Sequence, residues 1–217
     1  MKEHGYIPDD TKKGLTMTGI DNPILFDFPD SFETERLIIR APRPGDGAVV
    51  NAAVRESHDH LKPWMPWAVN LQTVEETEMT VRQGAARWLL REDLWMLLFR
   101  KEDGMYVGGS GLHRINWSVP SFEIGYWVRA RLEGKGYVTE AVKGITSFAF
   151  DRLKAERVEI RCDALNERSA AVARRAGYTL EGQLRHDDWT TQGTLRDTLV
   201  FGILRAEYVK QQTTRGT

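Results

Sequence analysis

Arg131-Leu132-Glu133-Gly134-Lys135-Gly136 sets two glycines beside two cations, directly ahead of a segment with helical apolar spacing. Glycine adopts backbone conformations that other residues avoid, and it leaves no side chain in the way of an approaching group. A helix that follows such a loop offers its first unpaired N–H groups and its positive dipole end. Loop and helix together suit an anion, most often a phosphate. Three phosphate-loop patterns compete. The dinucleotide fingerprint needs a third glycine where Thr139 stands, and a βαβ unit around it. The triphosphate loop closes on Gly-Lys-Ser/Thr, which Gly134-Lys135-Gly136 does not match. The third pattern, Arg/Gln-x-x-Gly-x-Gly/Ala, is met in full, although alone it reads equally as a glycine-rich turn before a core helix.

Other residues carry possible chemistry. Glu123 lies in "FEIGYW", where strand alternation puts it on one face with Gly125 and Trp127. Asp188 lies in "RHDDW", next to His186, which is a proton relay or a surface residue. Ser169 follows Asn166 by three residues and reads either as a hydroxyl donor or as the third residue of a helix capped by Asn166. Trp64 and Trp67 mark a helix break in "KPWMPW" and serve as core or as the wall of a cleft. The single cysteine, Cys162, sits in apolar "VEIRC" and reads as buried and inert. No metal-ligand spacing occurs.

These groups need elements to hold them. "ETERLIIRA" (33–41) reads as a strand, and "ILFDF" (24–28) as a short edge strand or an arm packed on the body. Asp46 is placed to cap a helix carrying Val49, Val50, Ala53 and Val54. Residues 73–93 form a second helix, with Thr73 and Glu76 spaced as a capping box. Runs 94–101, 105–115 and 121–130 give an antiparallel meander. After the glycine loop, Val138, Ala141, Val142, Ile145, Phe148, Ala149 and Leu153 make one apolar helical face. A strand (157–165), a helix (166–177) and two strands, "YTLEGQLRHDDW" and "RDTLVFGILRAEY", complete the chain. The order is β-α-α-β-β-β-α-β-α-β-β.

At 217 residues the chain is expected to hold one domain, over 31–210, with an N-terminal extension (1–30) and a short tail (211–217). With 41% hydrophobic and 28% charged residues it is ordinarily globular, and a net charge of −1 offers nucleic acid no bulk attraction. The polar start lacks an apolar targeting run, so a cytoplasmic protein without a membrane role is expected.

The ordered set "TERLIIR", "LKPWMPW", "EIGYWV", "GKGYVTEAV" and "NERSAAVARRAGYTLEG" resembles the GNAT superfamily of acyl-CoA-dependent N-acyltransferases. More narrowly it is similar to the RimJ/RimL branch, the ribosomal-protein N-terminal acetyltransferases, over residues 32–206. The resemblance implies an α/β GNAT fold with a mixed, mostly antiparallel sheet, and acetyl-CoA as co-substrate with no metal. It places the coenzyme between the strands near 122–129 and 157–165. Arg129, Arg131, Leu132, Gly134, Lys135, Gly136, Tyr137, Asn166 and Ser169 are then its contacts, with the amides of Trp127 and Val128 on the thioester carbonyl. Ser169 becomes the donor to the leaving thiolate, since Ala173 stands where many members carry a tyrosine. Asp188 matches the proposed base of the branch, one methylene shorter than its glutamate, with Glu123 as the alternative. Trp64, Trp67 and Glu123 border the acceptor. The acceptor implied is a ribosomal-protein N-terminal amine. The alternatives are a small amine (an antibiotic, polyamine or amino-acid conjugate) and, in a different class, a non-catalytic acyl-CoA-binding module. A monomer or homodimer is expected.

Overall fold

Residues 19–215 are described by the structure, a computed structural model. Strands β1 (Ser31–Glu33) and β2 (Leu37–Arg40) lead into helices α1 (Gly47–Glu56), α2 (His58–Leu61) and α3 (Val74–Leu90). The meander β3 (Leu94–Arg100), β4 (Tyr106–Asn116) and β5 (Ser121–Val128) follows, then α4 (Tyr137–Asp151) and β6 (Arg157–Asp163). Helix α5 (Glu167–Ala176), strands β7 (Thr179–Trp189) and β8 (Leu195–Leu204), and helix α6 (Arg205–Arg215) complete the order. The eight strands form one sheet, β1-β2-β3-β4-β5-β6-β8-β7. All neighbours are antiparallel except β5 and β6, which run parallel. The fold class is thus the expected mixed, mostly antiparallel α/β architecture.

Two apolar layers sandwich this sheet. Phe122, Ile124, Ala141, Val142, Ile145, Phe148, Ala149, Val158, Ile160 and Phe201 belong to the larger one, beneath α4 and α5. Val50, Ala53, Val81, Leu97, Tyr106 and Trp127 make the smaller one, beneath α1 and α3. Helix boundaries follow local chemistry. Thr73 and Glu76 form the capping box, at 3.1 and 2.8 Å. Asn166 caps α5 by accepting from the Ser169 N–H at 3.0 Å, and Gly177 ends it at φ 92°.

Several elements differ from the sequence reading. The single strand expected over 33–41 is a hairpin, β1 and β2, closed by the Thr34 N–H donating to Leu37 O at 2.9 Å. "ILFDF" is the packed arm: after a 3-10 turn at Pro23–Leu25, Phe28 meets Trp88 and Phe148 at ring separations of 6.1 and 6.0 Å. Asp46 precedes α1 but makes no side-chain cap, because its carboxylate takes the Arg40 guanidinium in two bonds of 2.7 Å. The last strand stops at Leu204, and helix α6 continues from Arg205 through most of the expected tail. Tyr208 docks it, stacking on Phe150 at 4.6 Å and donating to Asp151 at 2.9 Å. Of the expected N-terminal extension, residues 1–18 lie outside the described residues.

One polar clamp ties the β1–β2 hairpin to the start of α4. Glu140 accepts from the Thr34 hydroxyl at 2.6 Å, the Arg36 amide at 2.7 Å and the Arg36 Nε at 2.6 Å. Arg36 also donates to Lys135 O at 3.1 Å, inside the glycine loop. Burial works to raise the Glu140 carboxyl, but Thr34 and Arg36 outweigh it and hold it below its ordinary range. A depressed folded-state carboxyl contributes stability that is present above the unfolded value of about 4 and is lost as pH falls through the folded value. Glu140→Gln is therefore expected to cost about 1–3 kcal/mol in urea unfolding at neutral pH. The difference from wild type should shrink below about pH 4, and a constant difference would exclude this ionised clamp.

Candidate active site

The β5–β6 ladder stops early. Only Ser121, Phe122 and Glu123 find partners, in Arg157, Val158 and Glu159, and beyond Glu123 the two strands separate. A cavity of about 700 Å³ fills the separation, running from Tyr126 and Val128 on β5 past Ser169 on α5 to Gly134 and Gly136. The Arg129 N–H donates to Val107 O at 2.9 Å, which fixes the alternation of the antiparallel β4–β5 ladder. By that phase the backbone groups of Gly125 and Trp127 face β4, and those of Tyr126 and Val128 face the gap. The Val128 amide thus points into the gap, whereas the Trp127 amide, expected as its fellow donor, is spent on Gly109.

At the other end of the cavity the loop takes the left-handed turns that its glycines permit, at φ 70° for Gly134 and 82° for Gly136. Leu132 and Glu133 N–H groups close the short turn behind it, and the Glu140 N–H begins the helical ladder by bonding Gly136 O. Between them, the amides of residues 134–139 donate to no acceptor among the described residues. That is an anion cradle built of backbone. Around it, Arg168 bonds Glu133 at 2.6 Å, while Arg129 and Arg131 both pair with Glu56. Lys135 contributes its carbonyl to Arg36 and keeps the loop against the hairpin. Leu132 and Tyr137 are buried beside the loop, and Asn166 serves as the α5 cap at the cavity wall.

Ser169 faces the cavity, and the residue that meets it was not singled out from sequence. Tyr126 Oη lies 3.0 Å from Ser169 Oγ and donates to Ser169 O at 3.0 Å. Burial pushes the Tyr126 phenol up, so it stays a neutral donor. Its signal was alternation: Tyr126 falls on the face opposite Glu123 and Trp127. Ala173 is 0% exposed and belongs to the core stripe of α5, so it does not share the cavity position of Ser169. Cys162 is buried, and burial raises its thiol.

The opposite sheet face holds Glu123, Gly125 and Trp127 across from His113, Gly111 and Gly109. Glu123 stands at the vertex where the ladder ends. Burial pushes its carboxyl up, against the pull of Arg114, whose Nε is 3.5 Å from Oε2. That oxygen is buried and has no hydrogen-bond partner among the described residues. Asp188 lies on edge strand β7, with its side chain 51% exposed and bonded to Arg196 at 2.8 Å. Arg196 and the Trp189 N–H hold its carboxyl below the ordinary range, and Arg114 adds its pull. Trp64 lines the cavity. Trp67 packs on Trp127 with ring centroids 5.8 Å apart and is half exposed. His186 is exposed on β7, where its N–H donates to Asp197. His113, unremarked in the sequence, accounts for the bare backbone of Gly111 and Gly125 on this face, and the Trp127 ring accounts for that of Gly109.

Among the described residues no group of metal-holding side chains occurs, and no helix is long and apolar enough to cross a membrane. The chain is 29% identical over 176 residues to a putative ribosomal N-acetyltransferase, YdaF, of Bacillus subtilis, covering 80% of this chain and 94% of that one. It is 30% identical over 132 residues to the ribosomal-protein-serine acetyltransferase of Escherichia coli, covering 59% and 73%. Its fold matches the microcin C7 self-immunity acetyltransferase MccE, described in complex with acetyl-CoA and AMP, at TM-score 0.76 and 21% identity over 82% of this chain and 97% of that one. The acetyltransferase (GNAT) domain family matches residues 36–179, more than half of the sequence. The chain belongs to the GNAT acetyltransferase family, and it is an acyltransferase.

Proposed function

We propose that this enzyme transfers the acetyl group of acetyl-CoA to a primary amine, and that the amine is a protein N-terminus. The observation that carries the coenzyme is the run of unpartnered amides at 134–139, at one end of a cavity whose other end opens between two parted strands. A pyrophosphate fits the first and an extended amide-bearing arm the second, pairing with the free backbone of Tyr126 and Val128. The acetyl carbonyl then meets the Val128 amide, where charge grows as the amine attacks. Ser169 and Tyr126 supply a hydroxyl pair beside the sulfur, and the thiolate takes its proton there as the C–S bond breaks.

The acceptor approaches from the other face, between Trp67, Trp127 and the vertex. Glu123 offers it the one buried carboxylate oxygen left without a hydrogen bond among the described residues. The carboxylates nearby are already matched by cations: Asp187 by Arg161, Asp188 by Arg196 and Glu159 by Arg157. Glu123 too has a cation nearby, Arg114 at 3.5 Å, so the site holds no surplus of carboxylates for a polyamine and suits a single ammonium group better. Similarity to the ribosomal-protein-serine enzyme supports an α-amine at the end of a chain, and a cytoplasmic location accords with that substrate.

Three results are expected. Gly134→Val and Gly136→Val force a β-branched residue into a left-handed turn, at about 1–3 kcal/mol. Each should weaken acetyl-CoA binding by roughly 10-fold or more in calorimetry, and unchanged affinity would remove the pyrophosphate assignment. Tyr126→Phe and Ser169→Ala should keep acetyl-CoA affinity within about threefold while lowering kcat, by up to roughly 100-fold for the pair combined. Glu123→Gln should cost more in kcat/KM than Asp188→Asn; the reverse order would return the acceptor carboxylate to β7. Mass spectrometry after incubation with acetyl-CoA, ribosomal proteins and a panel of small amines identifies the acceptor. Acetylated small amines with untouched protein termini would overturn the N-terminal reading.

A further inference from the structure

The acetyl transfer needs a group to accept a proton from the attacking amine. An α-amine with a pKa near 8 arrives largely protonated at neutral pH, and something must take a proton before nitrogen can attack. Glu123 lies at the vertex with Arg114 3.5 Å from its carboxylate, and Asp188 is pulled down by Arg196. The same face holds a better-placed group.

His113 is the direct cross-strand neighbour of Glu123. Its Nδ1 lies 2.7 Å from Asp93 Oδ2. With the carboxylate accepting, the neutral ring carries its proton on Nδ1, so Nε2 presents a bare lone pair. The ring does not stand up from the strand. It lies back over the sheet, and its Nε2 would be 2.9 Å from a Cβ built on Gly111 and 3.4 Å from one on Gly125. No side chain larger than hydrogen fits beneath it at Gly111, where such a Cβ would also meet Leu94 O at 2.8 Å. The three residue pairs along the ladder, His113–Glu123, Gly111–Gly125 and Gly109–Trp127, show the direction of this tilt. Nε2 is carried from the vertex toward Trp127, along the part of β5 that borders the gap. The imidazole is about one-third exposed, and Nε2 bonds nothing among the described residues.

We propose that His113 is the proton acceptor for the attacking amine and that Asp93 is its positioning residue, a role that rests on the acetyl-transfer reading. The ammonium gives one proton to Nε2, and Asp93 stabilises the imidazolium that forms. The nitrogen lone pair then makes the C–N bond. As the intermediate collapses the C–S bond breaks and the thiolate takes a proton from the Ser169–Tyr126 pair; the nitrogen releases its second proton to water, and the pair regains one from water. The imidazolium returns its proton to water. The charged groups facing the ring are Asp93, Glu123 and, next along the chain, Arg114, with Glu159 and Arg161 acting on Glu123 from β6.

The test uses the full chain with acetyl-CoA and a synthetic peptide bearing a free N-terminal serine. His113→Gln should lower kcat by roughly 100-fold, remove the acidic limb of the kcat/KM profile, and leave acetyl-CoA affinity within about twofold. Asp93→Asn should slow turnover less and move that limb to lower pH, because the imidazolium loses its carboxylate; Asp93→Glu should restore part of the rate. Nitrogen NMR of histidine-labelled protein, with no acceptor present, should find the His113 proton on Nδ1 at about pH 8. A His113→Gln enzyme with wild-type kcat and an intact acidic limb would overturn the proposal, as would a proton found on Nε2. If the wild-type chain fails to bind acetyl-CoA, the acetyl-transfer reading falls instead, and the tautomer result alone decides whether the dyad exists.

Discussion

Everything at this site depends on where one strand pair stops. Strands β5 and β6 share three residue pairs and then part, although both continue. A parallel ladder broken in mid-strand leaves backbone groups unpaired in the interior of a protein, which is costly unless another partner replaces them. The larger core keeps the strands from closing, because Ile124 and Val128 on one side and Ile160 and Cys162 on the other remain packed under α4 and α5. The gap is held open by side chains, and its lining is backbone. The glycine loop, the Ser169–Tyr126 pair and the Val128 amide all take their positions from that separation.

Much of this architecture could be read from the chain itself. Periodicity located α3, α4, α5 and the meander because each carries a long amphipathic pattern with clear punctuation, as at Thr73, Asn166 and Gly177. The failures were short or tertiary. The β1–β2 turn has no glycine, so 33–41 looked continuous. Helix α6 has few apolar residues and exists because Tyr208 finds Phe150 and Asp151, which no local pattern records. Asp46 has the right type for a cap but is claimed by Arg40, a partner only folding supplies.

The site divides in the same way. The loop was legible because glycine, cation and helix start are adjacent in sequence, and its amides need no distant partner. Ser169 was legible through its cap. What stayed hidden were groups that matter through a neighbour in space: Tyr126 through Ser169, and His113 through Asp93 and the glycines beneath its ring. Those glycines, Gly111 and Gly125, were visible letters, but their reason was not, since a glycine in a strand marks a close approach without saying of what. Asp188 shows the converse, a residue of suitable type whose carboxylate is engaged by Arg196, a partner only folding supplies.

Strand β5 is also a partition. Tyr126 and Val128 project to the side of α4 and α5, while Glu123, Gly125 and Trp127 project to the other. The two sets alternate residue by residue, so they share a backbone but no packing layer. Exchanges on the odd-numbered side, together with His113 and Trp67 around it, alter the recess above the sheet while the opposite wall keeps its contacts. A one-residue insertion or deletion within the strand has the reverse effect: it turns every side chain over, putting a carboxylate among the apolar residues beneath α4 and a tyrosine where the glycine floor lies. Diversification along this strand is therefore open to replacement and closed to changes of length.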